Sequence, residues 1–154
     1  MTTTIPQPRQ SFYDLSENLR TDTFPPGVRT LPSSEAAREE LLLSKLGARG
    51  WGRVHHFRHY YSAGWGDRSG KPLSPRALES FYRFLEAAQF PRGSVPSVFL
   101  TDEGSIELSW EDHRGKAVQV EFRPSDIELY VEADELEESV PVSDAKALAS
   151  RLSA

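Results

Sequence analysis

Apolar and polar residues alternate with a period of two in the C-terminal half of the chain. Three stretches share this pattern, with apolar positions at Ile106, Leu108 and Trp110, at Val118, Val120 and Phe122, and at Ile127, Leu129 and Val131. Successive side chains of a β-strand point to opposite faces of its sheet. Each stretch is therefore predicted to be a strand with one buried face and one solvated face.

Short connections join these predicted strands. The turn "DHRGK" contains Gly115, "RPSD" covers 123–126, and "DEG" at 102–104 follows an earlier apolar stretch at 97–101. Connections this short make neighbouring strands antiparallel. The pattern predicts an antiparallel meander of four strands, and it leaves a fifth strand open near 136–140.

The preceding part of the chain follows a helical spacing instead. Apolar residues recur three to four apart over 34–46, over 51–61 and after Ser74, where Pro75 suits the first helical position. Gly47 is expected to end the first helix. The third helix has the clearest apolar stripe, at Ala77, Leu78, Phe81, Phe84, Leu85 and Ala88. Helices packed on one face of the sheet would give an α+β fold.

Proline content divides the chain into two predicted parts. Residues 1–32 hold five of the eleven prolines and show little periodicity, so they are predicted to form an irregular N-terminal arm. Residues 33–154 are predicted to form a single α+β domain. The stretch "SFYDLSENL" within the arm either packs on the domain or folds when it contacts a partner.

The stretch "GWGDRSGKPLSPRAL", 64–78, looks at first like a phosphate-binding loop. A nucleotide loop would have glycine where Trp65 stands, a hydroxyl residue where Pro72 follows Lys71, and a strand before it. None of these conditions is met. The glycines are predicted to reverse the chain, with Trp65 anchoring the turn to the core.

Part of the chain resembles a loose family of small bacterial proteins. The resemblance covers roughly residues 62–132 and rests on "GWGDRSGKPLSPRALESFYRFLEAA" followed by "GSIELSWEDHRGKAVQVEF". It consists of a Gly-Trp-rich turn, a Ser-Pro helix start and a Gly-x-Ile-x-Leu-x-Trp hairpin. These motifs are structural, so the resemblance implies a fold and a bacterial origin and assigns no catalytic residue. Arg68 and Ser69 in the turn and the long acidic C-terminal part depart from the pattern.

Charge is spread unevenly along the chain, which carries −5 in total. Residues 93–154 hold five Lys or Arg against fourteen Asp or Glu, whereas residues 49–92 hold eight against three. A split of this kind can orient a charged partner.

The acidic part suggests a binding surface for a basic protein. Glu107, Glu121, Glu128 and Tyr130 lie between apolar strand positions and so share the solvated face of the predicted sheet; Glu135, Glu137 and Glu138 follow directly. The leading hypothesis is a non-enzymatic protein–protein interaction module, antitoxin- or immunity-like in its use of this face. A merely solvated acidic face is the alternative.

A second hypothesis is an accessory protein that binds nucleic acid through residues 49–71. Cations and aromatic rings alternate there, as in single-strand binding grooves. The candidate contacts are Arg53, Arg58, His59, Tyr60 and Lys71. The acidic total charge opposes this reading.

No catalytic residue, cofactor or metal site is predicted. His55 and His59 have a ligand-like spacing of four, but His56 stands where a zinc protease would have glutamate. Cysteine is absent, and no apolar run approaches the roughly 20 residues that span a bilayer. The expectation is a cytoplasmic protein with no membrane contact.

Overall fold

The computed structural model describes residues 34–153, so the predicted arm at 1–32 lies outside the described residues. Residues Ala36–Ala154 form one unit by their internal contacts. Over 34–153 the secondary structure runs, in chain order, α1 (Ser34–Tyr60), α2 (Pro75–Ala87), β1 (Ser97–Leu100), β2 (Ile106–Glu111), β3 (Ala117–Phe122), β4 (Asp126–Val131), β5 (Leu136–Pro141) and α3 (Ala145–Leu152). Short 3-10 turns, Glu132–Asp134 and Val142–Asp144, flank β5.

The five strands form one antiparallel sheet in the order β1-β2-β3-β4-β5, so each strand pairs with its neighbour in the chain. The predicted meander and the α+β class are therefore confirmed, and β5 supplies the fifth strand. Connections of a few residues leave no room for a crossover, which is why spatial order follows chain order.

Apolar side chains on one side of the sheet form three rows across β2, β3 and β4. The rows are Ile106–Phe122–Ile127, Leu108–Val120–Leu129 and Trp110–Val118–Val131. All nine side chains are buried. We call this side the inner face; its burial confirms the alternation predicted from the sequence and fixes the register of the strands.

Helix α2 begins as its sequence predicts. The Ser74 hydroxyl accepts a hydrogen bond from the Ala77 amide, and Pro75 occupies the first helical position. The Phe84 ring lies 5.2 Å from that of Phe122, measured between centroids, and the Phe81 ring lies 5.6 Å from it. These ring contacts pack α2 against the inner face at β3.

Helix α1 is bent at Gly47, which has φ +74° and breaks the helical geometry. The two segments on either side correspond to the two helices predicted at 34–46 and 51–61. Leu46 and Val54 are buried on opposite sides of the bend. The Glu39 carboxylate joins the segments, because it accepts hydrogen bonds from the Trp51 indole and, at 2.9 Å, from His55 Nε2. These bonds, that of His55 first, lower the pKa of Glu39.

The glycine-rich stretch forms a tight turn around Trp65. The Gly64 amide donates to the Gly70 carbonyl at 2.7 Å, and the indole of Trp65 donates to the Lys71 carbonyl at 2.5 Å. A Cβ at Gly70 would lie 2.6 Å from the indole ring, so the backbone at Gly70 packs directly on that ring. These contacts reverse the chain, and the Trp65 ring meets the core through Tyr61, whose ring centroid lies 4.9 Å from it.

The segment after this turn docks onto the connection between β1 and β2. The Lys71 amide donates to the Asp102 carbonyl at 2.8 Å, and the Ser74 amide donates to the Gly104 carbonyl at 2.9 Å. A Cβ at Gly104 would lie only 2.4 Å from the Pro72 carbonyl oxygen. Glycine at 104 is thus required by close packing as well as by its φ of +81°.

Replacing Gly104 with alanine should lower the free energy of unfolding by about 3 kcal/mol, since it adds a backbone clash to an unfavourable φ. Gly93 is the matched control, because its φ is +84° but its Cβ direction is open. Gly93→Ala should cost only about 1 kcal/mol. Urea unfolding of the two variants measures the difference, and equal losses would contradict the proposed docking contact.

Candidate functional site

Three glutamates lie side by side on the solvent-facing side of the sheet. The register places Glu107 of β2 opposite Glu121 of β3, and Glu121 opposite Glu128 of β4. We call this side the outer face; it also carries Ser109, Gln119, Tyr130, Glu137 and Ser139. Directly opposed residues have Cβ atoms roughly 5 Å apart, so the three carboxylates form a row across neighbouring strands.

Burial of the inner face is what turns this row outward. Glu107 lies between buried Ile106 and Leu108 on β2, and Glu128 lies between buried Ile127 and Leu129 on β4. Because side chains alternate along a strand, the glutamates cannot move inward unless the apolar residues move out. The carboxylate row is thus held by the core.

Glu107, at the β2 end of the row, is half-buried. Burial raises the pKa of its carboxyl, and the charge of Glu121 raises it further. Both effects disfavour the ionised form. Within residues 34–153, neither Glu107 nor Glu121 forms a salt bridge, although Glu121 interacts electrostatically with Arg123.

Arg123 compensates the other end of the row. Its guanidinium pairs with Asp126 at 2.6 Å and with Glu128 at 2.5 Å. The Arg123 hydrogen bond, followed by that of Ser139, lowers the pKa of Asp126 to about 2. Arg123 therefore pairs directly with Glu128 and acts electrostatically on Glu121, whereas Glu107 lies on β2, two strands away from Glu128.

A shallow depression of about 220 Å³ covers the centre of the row. Its walls are formed by Glu107, Gln119, Glu121, Glu128, Leu129, Tyr130 and Glu137. Tyr130 is 36% exposed, and Phe99, which pairs with Glu107 at the β1 end of the row, is 43% exposed. The surface thus combines carboxylates with accessible aromatic rings.

Glu138 does not belong to the outer face, which corrects the grouping made from the sequence. It pairs with buried Leu129 in the register, and it forms a 2.6 Å salt bridge to Arg151 of α3. Glu137 lies opposite Tyr130 on the outer face. Glu135 is exposed in the turn before β5, where its φ is +49°. The register of β5 separates these three glutamates, although they are close in sequence.

Arg53, the first candidate nucleic-acid contact, is engaged in a structural role. Its Nε donates to the Val98 carbonyl of β1 at 2.7 Å, and its guanidinium lies over the rings of Phe57 and Phe99. This contact covers a carbonyl on the edge strand, where an unpaired group would otherwise be open to other strands.

The other candidate nucleic-acid contacts are dispersed. Arg58 is five residues from Arg53, which places the two about 140° apart around a helix. His59 is exposed beside His55, Tyr60 is 75% exposed and stacks on His56, and Lys71 pairs with Glu103 at 2.8 Å. Nucleic-acid binding through residues 49–71 stays a prediction, with Tyr60 as its most accessible ring.

The described part of the chain contains no group of three or more His, Cys, Asp or Glu side chains placed to hold a metal ion. His55 is one of the two histidines with a ligand-like spacing of four, and its Nε2 lies 2.9 Å from the Glu39 carboxylate. Between residues 34 and 153, no helix has both the length and the apolar character to cross a bilayer.

Comparisons of the chain with protein-family models, with curated proteins and with solved structures find no match. The resemblance to a loose family of small bacterial proteins therefore stays a prediction.

Sequence reasoning did not identify the salt bridges that shape this surface. Arg123 is three residues from Asp126 across the predicted "RPSD" turn, and that spacing was a usable signal. The pairing of Arg151 with Glu138 had no such signal, because it depends on where α3 packs.

Replacing Glu107 with glutamine should stabilise the protein at neutral pH. The pKa of Glu107 is raised in the folded state, so folding favours its protonated form. Above that pKa the carboxyl is ionised, and its ionisation lowers the free energy of unfolding. The cost disappears as pH falls below the ordinary pKa of about 4.3. Urea unfolding at about pH 7 should show a gain of about 0.5 kcal/mol, as for a relieved cross-strand repulsion. A lower unfolding midpoint would contradict this.

Replacing Asp126 with asparagine should have the opposite sign. Its pKa is lowered in the folded state, so the ionised form stabilises the fold above about pH 4, and this contribution is lost as pH falls towards about 2. After allowance for solvent screening, Asp126→Asn should cost about 1 kcal/mol at about pH 6 and much less at about pH 2.5.

Asp134→Asn is the control for that experiment, because Asp134 is exposed in the turn before β5. It should change the unfolding free energy by less than about 0.5 kcal/mol at either pH. A loss at Asp126 that is the same at both pH values would show that its charge is not the cause.

Proposed function

We propose that this chain is a non-enzymatic protein–protein interaction module that binds a basic protein through the outer face of its sheet. The observation that carries the proposal is the row Glu107–Glu121–Glu128, in which Glu107 has a raised pKa and no salt bridge within residues 34–153. As part of this proposal, all the helices pack on the inner face, so the outer face is open to a partner.

The energetic reason is that a partner's cation would remove a cost already present in the free protein. Opposed like charges on neighbouring strands are destabilising. A lysine or arginine placed between Glu107 and Glu121 would relieve that repulsion and would favour the ionised form of Glu107. Binding energy would thus be gained at Glu107 and Glu121, where the free protein has a repulsion between carboxylates.

Aromatic side chains at the two ends of the surface support a protein partner. Tyr130 and Phe99 are partly exposed next to the carboxylates. Tyrosine is enriched among the residues that dominate binding energy, and an arginine from a partner can stack on the Tyr130 ring. The Phe99 ring is already in contact with Arg53 of this chain. A surface that offers both charge and rings suits a folded basic protein better than free counterions.

The finer form of the proposal is antitoxin- or immunity-like inhibition of a protein that acts on nucleic acid. Such a protein has a basic groove, and a rigid acidic sheet can occupy the groove in place of the phosphate backbone. This mode of action requires no catalytic residue. It also fits the concentration of acidic residues in 93–154.

The test is site-specific photo-crosslinking in the native host. A photoreactive residue at Gln119, on the outer face, should give an adduct with a basic protein, whereas one at Ala147, exposed on α3, should not. Introducing Glu107→Lys together with Glu121→Lys should reduce the adduct at least about tenfold, since two attractive charges become repulsive.

The matched control is Glu40→Lys together with Asp67→Lys, which changes the net charge equally at exposed positions of α1 and the glycine-rich turn. This control should leave the adduct unchanged. The proposal fails if the two double variants lose the adduct equally, or if the Ala147 position gives the same adduct as Gln119.

A further inference from the structure

A second concave surface lies between α2, the β3–β4 turn and the 3-10 turn before α3. It is a cleft of about 440 Å³, which falls within the usual range for small-molecule pockets. Arg76 and Arg83 line it from α2, and Ser125 and Ser143 line it from the two turns. None of these residues belongs to the acidic outer face described above.

The cleft is positively charged although the whole chain is acidic. Arg76 and Arg83 are seven residues apart, two turns and about 10 Å along one side of the helix. Glu79 lies between them, and its carboxylate is shared between salt bridges to Arg38 of α1 and, at 3.8 Å, to Arg83. Arg76 has no carboxylate within salt-bridge distance among residues 34–153, so the cleft keeps an excess of cations.

The remaining walls are apolar or carry hydroxyls. Pro124 and Val142 supply apolar surface, and Ser143 can donate a hydrogen bond. The Ser125 hydroxyl donates to the Asp126 carboxylate at 3.4 Å. The Ser80 hydroxyl is already committed, because it donates to the Ala77 carbonyl at 3.1 Å. A ligand would therefore meet the guanidinium groups of Arg76 and Arg83 with the Glu79 carboxylate between them, the Ser143 hydroxyl and a small apolar wall.

We propose that this cleft binds a small organic phosphomonoester, with the phosphate at the arginines and the apolar body against Val142 and Pro124. Guanidinium groups bind phosphate oxygens in pairs, and a dianionic phosphate matches two cations better than a single carboxylate does. The Ser143 hydroxyl supplies a further donor to the terminal oxygens. This binding is independent of the proposed recognition of a basic protein.

The experiment is calorimetric titration of the full chain with phenyl phosphate at low salt. Saturable one-to-one binding is expected, weakening as salt is raised. Arg76→Gln and Arg83→Gln should each raise Kd about tenfold, as expected for loss of a charge-assisted hydrogen bond. Arg76→Lys, which keeps the charge but loses the planar fork, should give an intermediate Kd.

Arg92→Gln is the matched control, since Arg92 is an exposed arginine just beyond α2 and does not line the cleft. Its Kd should stay within about twofold of the unmodified chain. Inorganic phosphate and benzoate should both bind more weakly than phenyl phosphate, because each lacks one of the two features. The proposal is overturned if phenyl phosphate does not saturate, if benzoate binds equally well, or if Arg92→Gln weakens binding as much as Arg76→Gln.

Discussion

The alternation of side chains across the antiparallel sheet is the constraint on which the rest of the structure depends. Three apolar rows on β2, β3 and β4 are buried together on the inner face. A shift of one residue in any strand would expose its apolar set, so the hydrophobic effect fixes the register. The same register leaves Glu107, Glu121 and Glu128 opposite one another. The core therefore imposes an arrangement of charges that the carboxylates alone would avoid.

The protein compensates this arrangement only in part. Arg123 pairs with Asp126 and Glu128 at one end of the row, whereas Glu107 at the other end is partly buried and has a raised pKa. Binding sites commonly contain charges that destabilise the free protein, because function requires those charges at that position. Uncompensated repulsion between surface carboxylates is therefore a common mark of a binding site. The imbalance is the physical basis for proposing a basic partner.

The β3–β4 turn connects the two candidate surfaces. Arg123 points its charge to the outer face, while Pro124 and Ser125 line the arginine cleft beside α2. Only three residues, 123–125, connect β3 to β4, yet they separate an acidic surface from a basic one. Arg123 pairs with Asp126 and Glu128 on the outer face, and Glu79 pairs with Arg38 beside the cleft.

Local patterns in the sequence determined the strands, their order, the Ser74–Pro75 helix start, the break in helical geometry at Gly47 and the outward position of Glu107, Glu121 and Glu128. These features depend on local geometry and on the burial of alternate residues, and both are determined by residues that are neighbours in the sequence. Tertiary structure decided what lies far apart in the chain: that Glu138 pairs with Arg151 rather than joining the outer face, that Arg53 binds the edge of β1, and that Arg76 and Arg83 border a cleft. The hydrogen bonds and salt bridges of long side chains depend on how the helices pack on the sheet, and no spacing in the sequence specifies that packing.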